Sequence, residues 1–273
     1  MKHPEGLFAA PDVPTGAGVL VLTGSSGRVD AGRVRLFAGV RCSGPVDPVV
    51  RRARATAGHL RGPLETFFDA VGVLKAECDR VSVVGTSFGA EAALLAASHD
   101  PRIEAVVAVA PTPVVWAGVA PGDDGHGVRQ TSHWTLRGAP VPFVSFVQDW
   151  EPPGIPPAYR ELYLQSIAAD PAQADTATIP VERIAGDVVV IGGEDDQVWP
   201  GAQFARMVAD RRATHGLLTT VVTPDKAGHR AVFPGEQPVT GGRVMARGGS
   251  PEADADLGAL AWPHVTNALR LQG

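Results

Sequence analysis

The stretch from Arg80 to Leu95, Arg-Val-Ser-Val-Val-Gly-Thr-Ser-Phe-Gly-Ala-Glu-Ala-Ala-Leu-Leu, restricts the possible folds of this chain more than any other. Val81 to Val84 is a β-branched run of strand length, and Ala90 to Ala97 is a run of strong helix formers. Only Gly85-Thr86-Ser87-Phe88-Gly89 lies between the two runs and their flanks. A chain that leaves a buried strand and enters a helix over so few residues must turn sharply. A glycine on each side of the serine admits backbone where a β-carbon would clash. Ser87 then projects above the sheet at a helix N-terminus. The five-residue pattern alone is weak in a chain with 32 glycines, so the strand before it and the helix after it carry the reading.

The rest of the chain supplies more strands of the same buried kind. Leu7 to Ala10 reads as a short edge strand closed by Pro11 and Pro14. Gly18 to Gly24 is an apolar run ending in Gly24-Ser25-Ser26-Gly27, whose backbone N–H groups are free to face an anion. Arg33 to Ala38 alternates in part and reads as the next strand, and Arg41 to Pro63 reads as loop with one short helix. Leu64, Phe67, Phe68, Val71, Val73 and Leu74 fall near helical spacing and predict a helix over about 64–77. After the Ala-rich helix, His99-Asp100-Pro101 stops the pattern, and Ile103 to Ala110 is another strand. Apolar strands alternating with helices predict a parallel sheet covered on both faces, with the strand of the serine lying centrally.

From Pro111 to about Ala185 the rhythm breaks. Three of the five tryptophans, Trp116, Trp134 and Trp150, and both tyrosines, Tyr159 and Tyr163, fall here. A span this long is unusual in a compact domain unless it is functional. It is read as an insertion at the strand ends, a lid or pocket wall with a helix over Tyr159 to Ala168. The alternative is that its aromatics form a core of their own. His126 with Asp123 and Asp124 could suggest a metal, but the surrounding glycines favour a plain loop.

Alternation returns with the strand Asp187 to Gly193, followed by Glu194-Asp195-Asp196-Gln197-Val198-Trp199-Pro200. A helix from about Gly201 to Arg212 and a strand from Leu217 to Val222 lead to Ala227-Gly228-His229, and Glu252 to Leu271 reads as a terminal helix. Ser87, the acidic cluster and His229 each follow a strand, which places them at one edge of a parallel sheet. A serine hydroxyl needs a base, and the base needs a third group to fix its tautomer. Ser87, Asp196 and His229 supply all three types in the order serine, acid, histidine. Asp195 and Glu194 compete for the acid role; Gly193, Asp196 and Pro200 resemble the spacing of glycine, aspartate and proline common among hydrolases, which favours Asp196. Backbone N–H groups of Phe88 and Ser25, with Ser26 next, are the candidate oxyanion donors. His133, Trp134 and Trp199 are candidate pocket residues, and His59, His215 and His264 read as surface or packing.

Four stretches carry a closer resemblance: Gly85 to Leu95, Ser132-His133-Trp134-Thr135-Leu136-Arg137-Gly138, Ile179 to Ile184 running on to Asp195 through Pro200, and Gly248-Gly249-Ser250-Pro251-Glu252-Ala253. In these the chain resembles the catalytic domain of the acyl-CoA thioester hydrolase and bile-acid-CoA:amino-acid N-acyltransferase family, within the α/β hydrolases. The resemblance implies one α/β-hydrolase domain over 1–273, with the insertion at about 112–185, and Ser87 as nucleophile, Asp196 as acid and His229 as base. It implies a serine hydrolase acting on an acyl thioester, borne by coenzyme A or an acyl carrier protein, or on an ester. Conjugating members use cysteine as nucleophile, so a serine favours hydrolysis over acyl transfer; a non-catalytic ligand-binding homologue is the reading from another class. Phe88 replaces the basic residue often found after the nucleophile, and the chain is too short for the N-terminal β-domain of eukaryotic members.

Composition excludes several classes. A net charge of −5 with scattered basic residues argues against a nucleic-acid surface. Arg51, Arg52 and Arg54 form the one basic cluster, read as a solvated helix face that could otherwise greet coenzyme A phosphates. No apolar run is long enough for a membrane span, and no signal peptide is apparent. Two cysteines, Cys42 and Cys78, have no metal-ligand spacing. The expectation is a cytoplasmic enzyme acting on a small molecule, needing no metal or organic cofactor and binding no membrane.

Overall fold

A computed structural model describes residues 9, 16–25, 30–39, 62–121, 128–238 and 243–271. Along the chain they form β1 (Ala17–Leu22), α1 (Ala31–Gly39), β2 (Gly62–Pro63), α2 (Glu65–Lys75), β3 (Arg80–Thr86), α3 (Phe88–His99) and β4 (Ile103–Val109). The span before the next core strand holds β5 (Ala117–Pro121), β6 (Val128–Ser132), β7 (Trp134–Leu136), β8 (Ala139–Pro140), α4 (Arg160–Ala169), α5 (Pro171–Thr176) and a 3₁₀ turn at Val181–Arg183. Then come β9 (Asp187–Ile191), α6 (Gly201–Ala213), β10 (Thr220–Val222) and α7 (Pro251–Ala268).

The core is a five-stranded sheet in the order β1-β3-β4-β9-β10, and every neighbouring pair is parallel. Strand periodicity sorts its side chains between two cores. Leu20, Leu22, Val81, Val83, Val106, Ala108, Val188 and Val190 pack with α2, α3 and part of α6 on one face. Val19, Val21, Val84, Val107, Val109, Val189 and Ile191 pack with α1 and α7 on the other. Both faces are covered, which is why these strands carry continuous apolar runs. Every residue of α3 from Gly89 to Ser98 is buried, and its alanines let the helix lie close against the sheet. Among the described residues, no helix is long and apolar enough to cross a membrane.

The expected strand at Arg33 to Ala38 is instead helix α1. Arg33, Val34, Phe37 and Ala38 are the buried positions, a spacing of one helical face. Strand β3 is interior, between β1 and β4, but the middle of the sheet is β4. Except for Ala9 the proposed first edge strand lies outside the described residues, as do Arg51, Arg52, Arg54, His59, Asp123, Asp124 and His126.

The aromatic residues of the 111–186 span divide between two cores. Trp134 joins the core around α2 and α3, edge-on to Phe67. Trp116 and Tyr163 pack with Trp199 and Phe204, and Phe88 and Phe146 lie against this cluster. The span is fastened to α3 through Glu91, which is fully buried: Oε1 accepts from the Trp134 indole N–H at 2.7 Å and Oε2 from the Trp116 amide at 3.3 Å. Burial pushes the Glu91 carboxyl up to about 8, with both hydrogen bonds opposing the rise. The folded protein therefore holds a proton that the unfolded chain releases from pH 4.5 upward, and stability falls as pH rises until the folded group also ionises near pH 8. Glu91→Gln removes this titration. Thermal unfolding of the two proteins at pH 5 and pH 8 should show the variant gaining on the wild type by several degrees at the higher pH; a difference independent of pH would contradict the assignment.

Candidate active site

The turn between β3 and α3 is strained at its serine. Ser87 has φ 59° and ψ −125°, a conformation that costs a non-glycine residue roughly 1–3 kcal/mol. Surrounding backbone enforces it. The Ser87 amide donates to the Val109 carbonyl at 2.9 Å, a β-carbon on Gly85 would strike the Gly89 carbonyl, and one on Gly89 would strike that of Leu22. Gly85 and Gly89 are thus required by close approach of backbone, and the corner lifts the serine hydroxyl off the sheet.

The loops after β9 and β10 bring the other two groups to it. His229 Nε2 lies 3.1 Å from Ser87 Oγ, and its Nδ1 lies 2.8 Å from Asp196 Oδ2. A carboxylate can only accept, so Nδ1 donates and Nε2 is left to accept from the Ser87 hydroxyl. Asp196 is fully buried, and its Oδ1 accepts from the amides of Val198 at 2.8 Å and Trp199 at 3.2 Å. Its two rivals are occupied elsewhere. Glu194 is paired with Arg206, which holds its carboxyl below the usual range. Asp195 is exposed and accepts from the Gly249 amide at 2.7 Å and the Gln197 side chain at 2.9 Å.

The turn after β1 lies directly against the serine. A β-carbon on Gly24 would sit 3.1 Å from Ser87 Cβ and 3.6 Å from its Oγ. Ser25, next in that turn, is exposed, and Ser26 lies outside the described residues. Phe88 is the first residue of α3, where backbone N–H groups lack intrahelical partners. Its ring stacks on His133, with centroids 5.1 Å apart and planes at 20°. Burial lowers the His133 imidazole to about 4, so the ring is neutral near pH 7. The Trp134 ring is packed in the core and its N–H is held by Glu91. Trp199 is also fully buried and meets the His229 ring edge-on at 5.6 Å, backing the imidazole. His215 and His264 are exposed. Among the described residues, no three His, Cys, Asp or Glu side chains are grouped to hold a metal.

Sequence reading missed a brace beneath the site. Arg33 on α1 bonds Glu236 through Nε at 2.7 Å and Nη2 at 2.8 Å, with both side chains below one-tenth exposed. Its Nη1 donates to Thr86 Oγ1 at 2.9 Å and its Nη2 to the Ala231 carbonyl at 2.9 Å. One guanidinium thus joins the residue before Ser87 to the loop after His229. The only local signal was the helical spacing of Arg33 with Val34 and Phe37; its partner is 203 residues away. Arg160 on α4 adds a second tie, donating to the carbonyls of Glu194 at 3.2 Å and Asp196 at 3.1 Å.

A family model described as BAAT / acyl-CoA thioester hydrolase C terminal matches residues 63–270. The chain belongs to this family. The fold is that of the α/β hydrolases. The thiohydrolase apmlB of Arthrinium phaeospermum is 45% identical over 62 residues, 21% of this chain and 20% of that protein, so the shared segment is a small part of both. Among solved structures, the acylaminoacyl peptidase of Pyrococcus horikoshii matches with a TM-score of 0.51 at 12% identity, over 82% of this chain and 35% of that one. This likeness is one of fold. The esterase domain of a Rhodothermus marinus protein matches with a TM-score of 0.45 at 15% identity, over 80% of this chain and 81% of that one.

Removing one partner of the Arg33–Glu236 pair strands a buried charge, which costs about 3–5 kcal/mol. Arg33→Ala and Glu236→Ala should each lower stability by that order in urea unfolding, whereas Arg33→Met combined with Glu236→Leu should recover most of the loss. Additive costs in the double variant would show that the two side chains are not coupled.

Proposed function

We propose that this protein is a serine hydrolase that cleaves an acyl thioester, carried on coenzyme A or an acyl carrier protein, or an ester, through an acyl-enzyme on Ser87. The observation that carries this reading is the unbroken hydrogen-bonded line from Ser87 through His229 to Asp196. In the proposed reaction His229 Nε2 takes the Ser87 proton as Oγ attacks the substrate carbonyl. Asp196 holds the Nδ1–H and stabilises the resulting imidazolium. The backbone N–H groups of Phe88 and Ser25 receive the oxyanion; each such donor is worth about 3–4 kcal/mol to the chemical step. The imidazolium then returns its proton to the departing thiolate or alkoxide. A water deprotonated by the same histidine attacks the acyl-enzyme, releasing the acid and restoring Ser87. The span 111–186 serves as pocket wall over this edge, with Phe88 and neutral His133 forming its floor beside the serine.

The family match over residues 63–270 supports thioester chemistry, and the apmlB segment is drawn from a protein named as a thiohydrolase. The test is mass spectrometry of the protein exposed to a fluorophosphonate and to a panel of acyl thioesters and esters. Wild type should gain the phosphonyl adduct on Ser87, and with its substrate a transient acyl adduct there; Ser87→Ala should gain neither. Asp196→Asn should keep its fold and lose about 10⁴-fold in kcat, because the neutral amide favours the wrong imidazole tautomer. Wild type that takes no label at Ser87 would refute the reading.

A further inference from the structure

The segment Gly248-Gly249-Ser250-Pro251 has no part in the reaction just described, yet it is built with unusual precision. Ser250 and Pro251 are explained by the helix they open: the Ser250 hydroxyl caps α7 by accepting from the Ala253 amide at 3.2 Å, and proline suits the first helical position. Neither explains the glycines, which lie outside the helix. Both have positive φ, 66° at Gly248 and 67° at Gly249. Two successive residues in that region form a tight turn that β-carbons oppose. Space opposes them too. A β-carbon on Gly248 would be driven into the Asp195 carbonyl oxygen, and one on Gly249 into the Gly228 amide nitrogen. The diglycine is therefore wedged between the loop that bears Asp196 and the loop that bears His229.

Hydrogen bonds complete the wedge. The Arg247 carbonyl accepts from the His229 amide at 2.9 Å and from the Gln197 amide at 3.3 Å, so one oxygen joins the histidine to the residue after the acid. The Gly249 amide donates to Asp195 Oδ2 at 2.7 Å. The Gly228 amide, just before the histidine, donates to Asp254 Oδ1 at 3.1 Å from the first turn of α7. The two loops also touch directly, the Asp195 amide donating to the Ala227 carbonyl at 3.0 Å. Asp195 and Asp254 thus each spend a carboxylate on a backbone N–H.

We infer that Gly248 and Gly249, with Asp195 and Asp254, are a positioning clamp that sets the 2.8 Å contact between Asp196 and His229. The inference rests on the reading of Ser87, His229 and Asp196 as the reacting groups. It gives Asp195 a task distinct from that of its neighbour: a hydrogen-bond acceptor for Gly249, which needs no negative charge. Displacing a catalytic group by about 1 Å costs on the order of 10²-fold in rate.

The test compares Asp195→Asn, Asp195→Ala and Gly248→Ala with wild type. Activity is followed with the best ester or thioester of the panel, and the downfield ¹H resonance of His229 Nδ1–H is followed by NMR. Asp195→Asn keeps an acceptor oxygen and should hold kcat within about threefold, with the resonance in place. Asp195→Ala and Gly248→Ala should lose on the order of 10²-fold in kcat at unchanged KM, with the resonance shifted or lost. Should Gly248→Ala fail to fold, Asp195→Ala decides alone. A folded Asp195→Ala that keeps both kcat and the resonance would overturn the clamp, as would an Asp195→Asn as damaged as Asp196→Asn. Wild type without activity or label would instead refute the hydrolase reading, and the resonance, which needs no substrate, would still decide the clamp.

Discussion

Everything at the sheet edge depends on one imidazole held from both sides. His229 reaches Ser87 with one nitrogen and Asp196 with the other, at 3.1 and 2.8 Å. These groups come from three loops that follow β3, β9 and β10, and no two of those loops are adjacent in the chain. A parallel sheet supplies their common edge but not their mutual distance, since each loop could shift by an ångström without disturbing the strands beneath it. Catalytic geometry tolerates little of that freedom.

The loops are coupled at several levels. At the level of strain, the backbone around Gly85 and Gly89 fixes Ser87 where a relaxed turn would not leave it. Arg33 and Glu236 act as a buried ion pair, and Arg33 also donates to Thr86 and to the Ala231 carbonyl, beside Ser87 and His229 in the chain. Its bonds to Glu236 and to neutral acceptors leave the pair well hydrogen-bonded, which offsets the desolvation of two charges. The third level is backbone to backbone, where the Arg247 carbonyl and the diglycine join the acid loop to the histidine loop.

The span between β4 and β9 is tied to the same frame. Glu91 grips it from α3, one turn beyond Ser87, and Arg160 binds the carbonyls of the acid loop from above. Its aromatic side chains continue into the site, from Trp116 through Tyr163 to Trp199 of the acid loop and on to His229. The rings that give the span a core of its own therefore also pack against the imidazole of the site. Trp134 reaches the same rings through His133 and Phe88, while its indole N–H is committed to Glu91.

Most strands of the central sheet, and the three side chains that meet at its edge, were legible in the chain itself. Runs such as Val81 to Val84, interrupted only by Ser82, and Val188 to Ile191 are buried on both faces, and that environment writes itself as sequence rich in β-branched residues. The Ala-rich helix and the glycines around Ser87 are likewise local demands of a tight corner. What tertiary structure decided was every choice between similar neighbours. Asp196 and Asp195 are the same residue type in the same loop, and only the position of His229, 33 residues on, separates the one that meets it from the one that holds Gly249. Arg33 to Ala38 reads as half a strand until Glu236 gives its arginine a buried partner, and the burial of Trp199 is set by Tyr163 and Phe204, which come from distant parts of the chain or from the next helix. Local periodicity records which side of an element is buried, whereas the partner of a polar group is set by where distant loops meet, and one-dimensional pattern carries no measure of that distance.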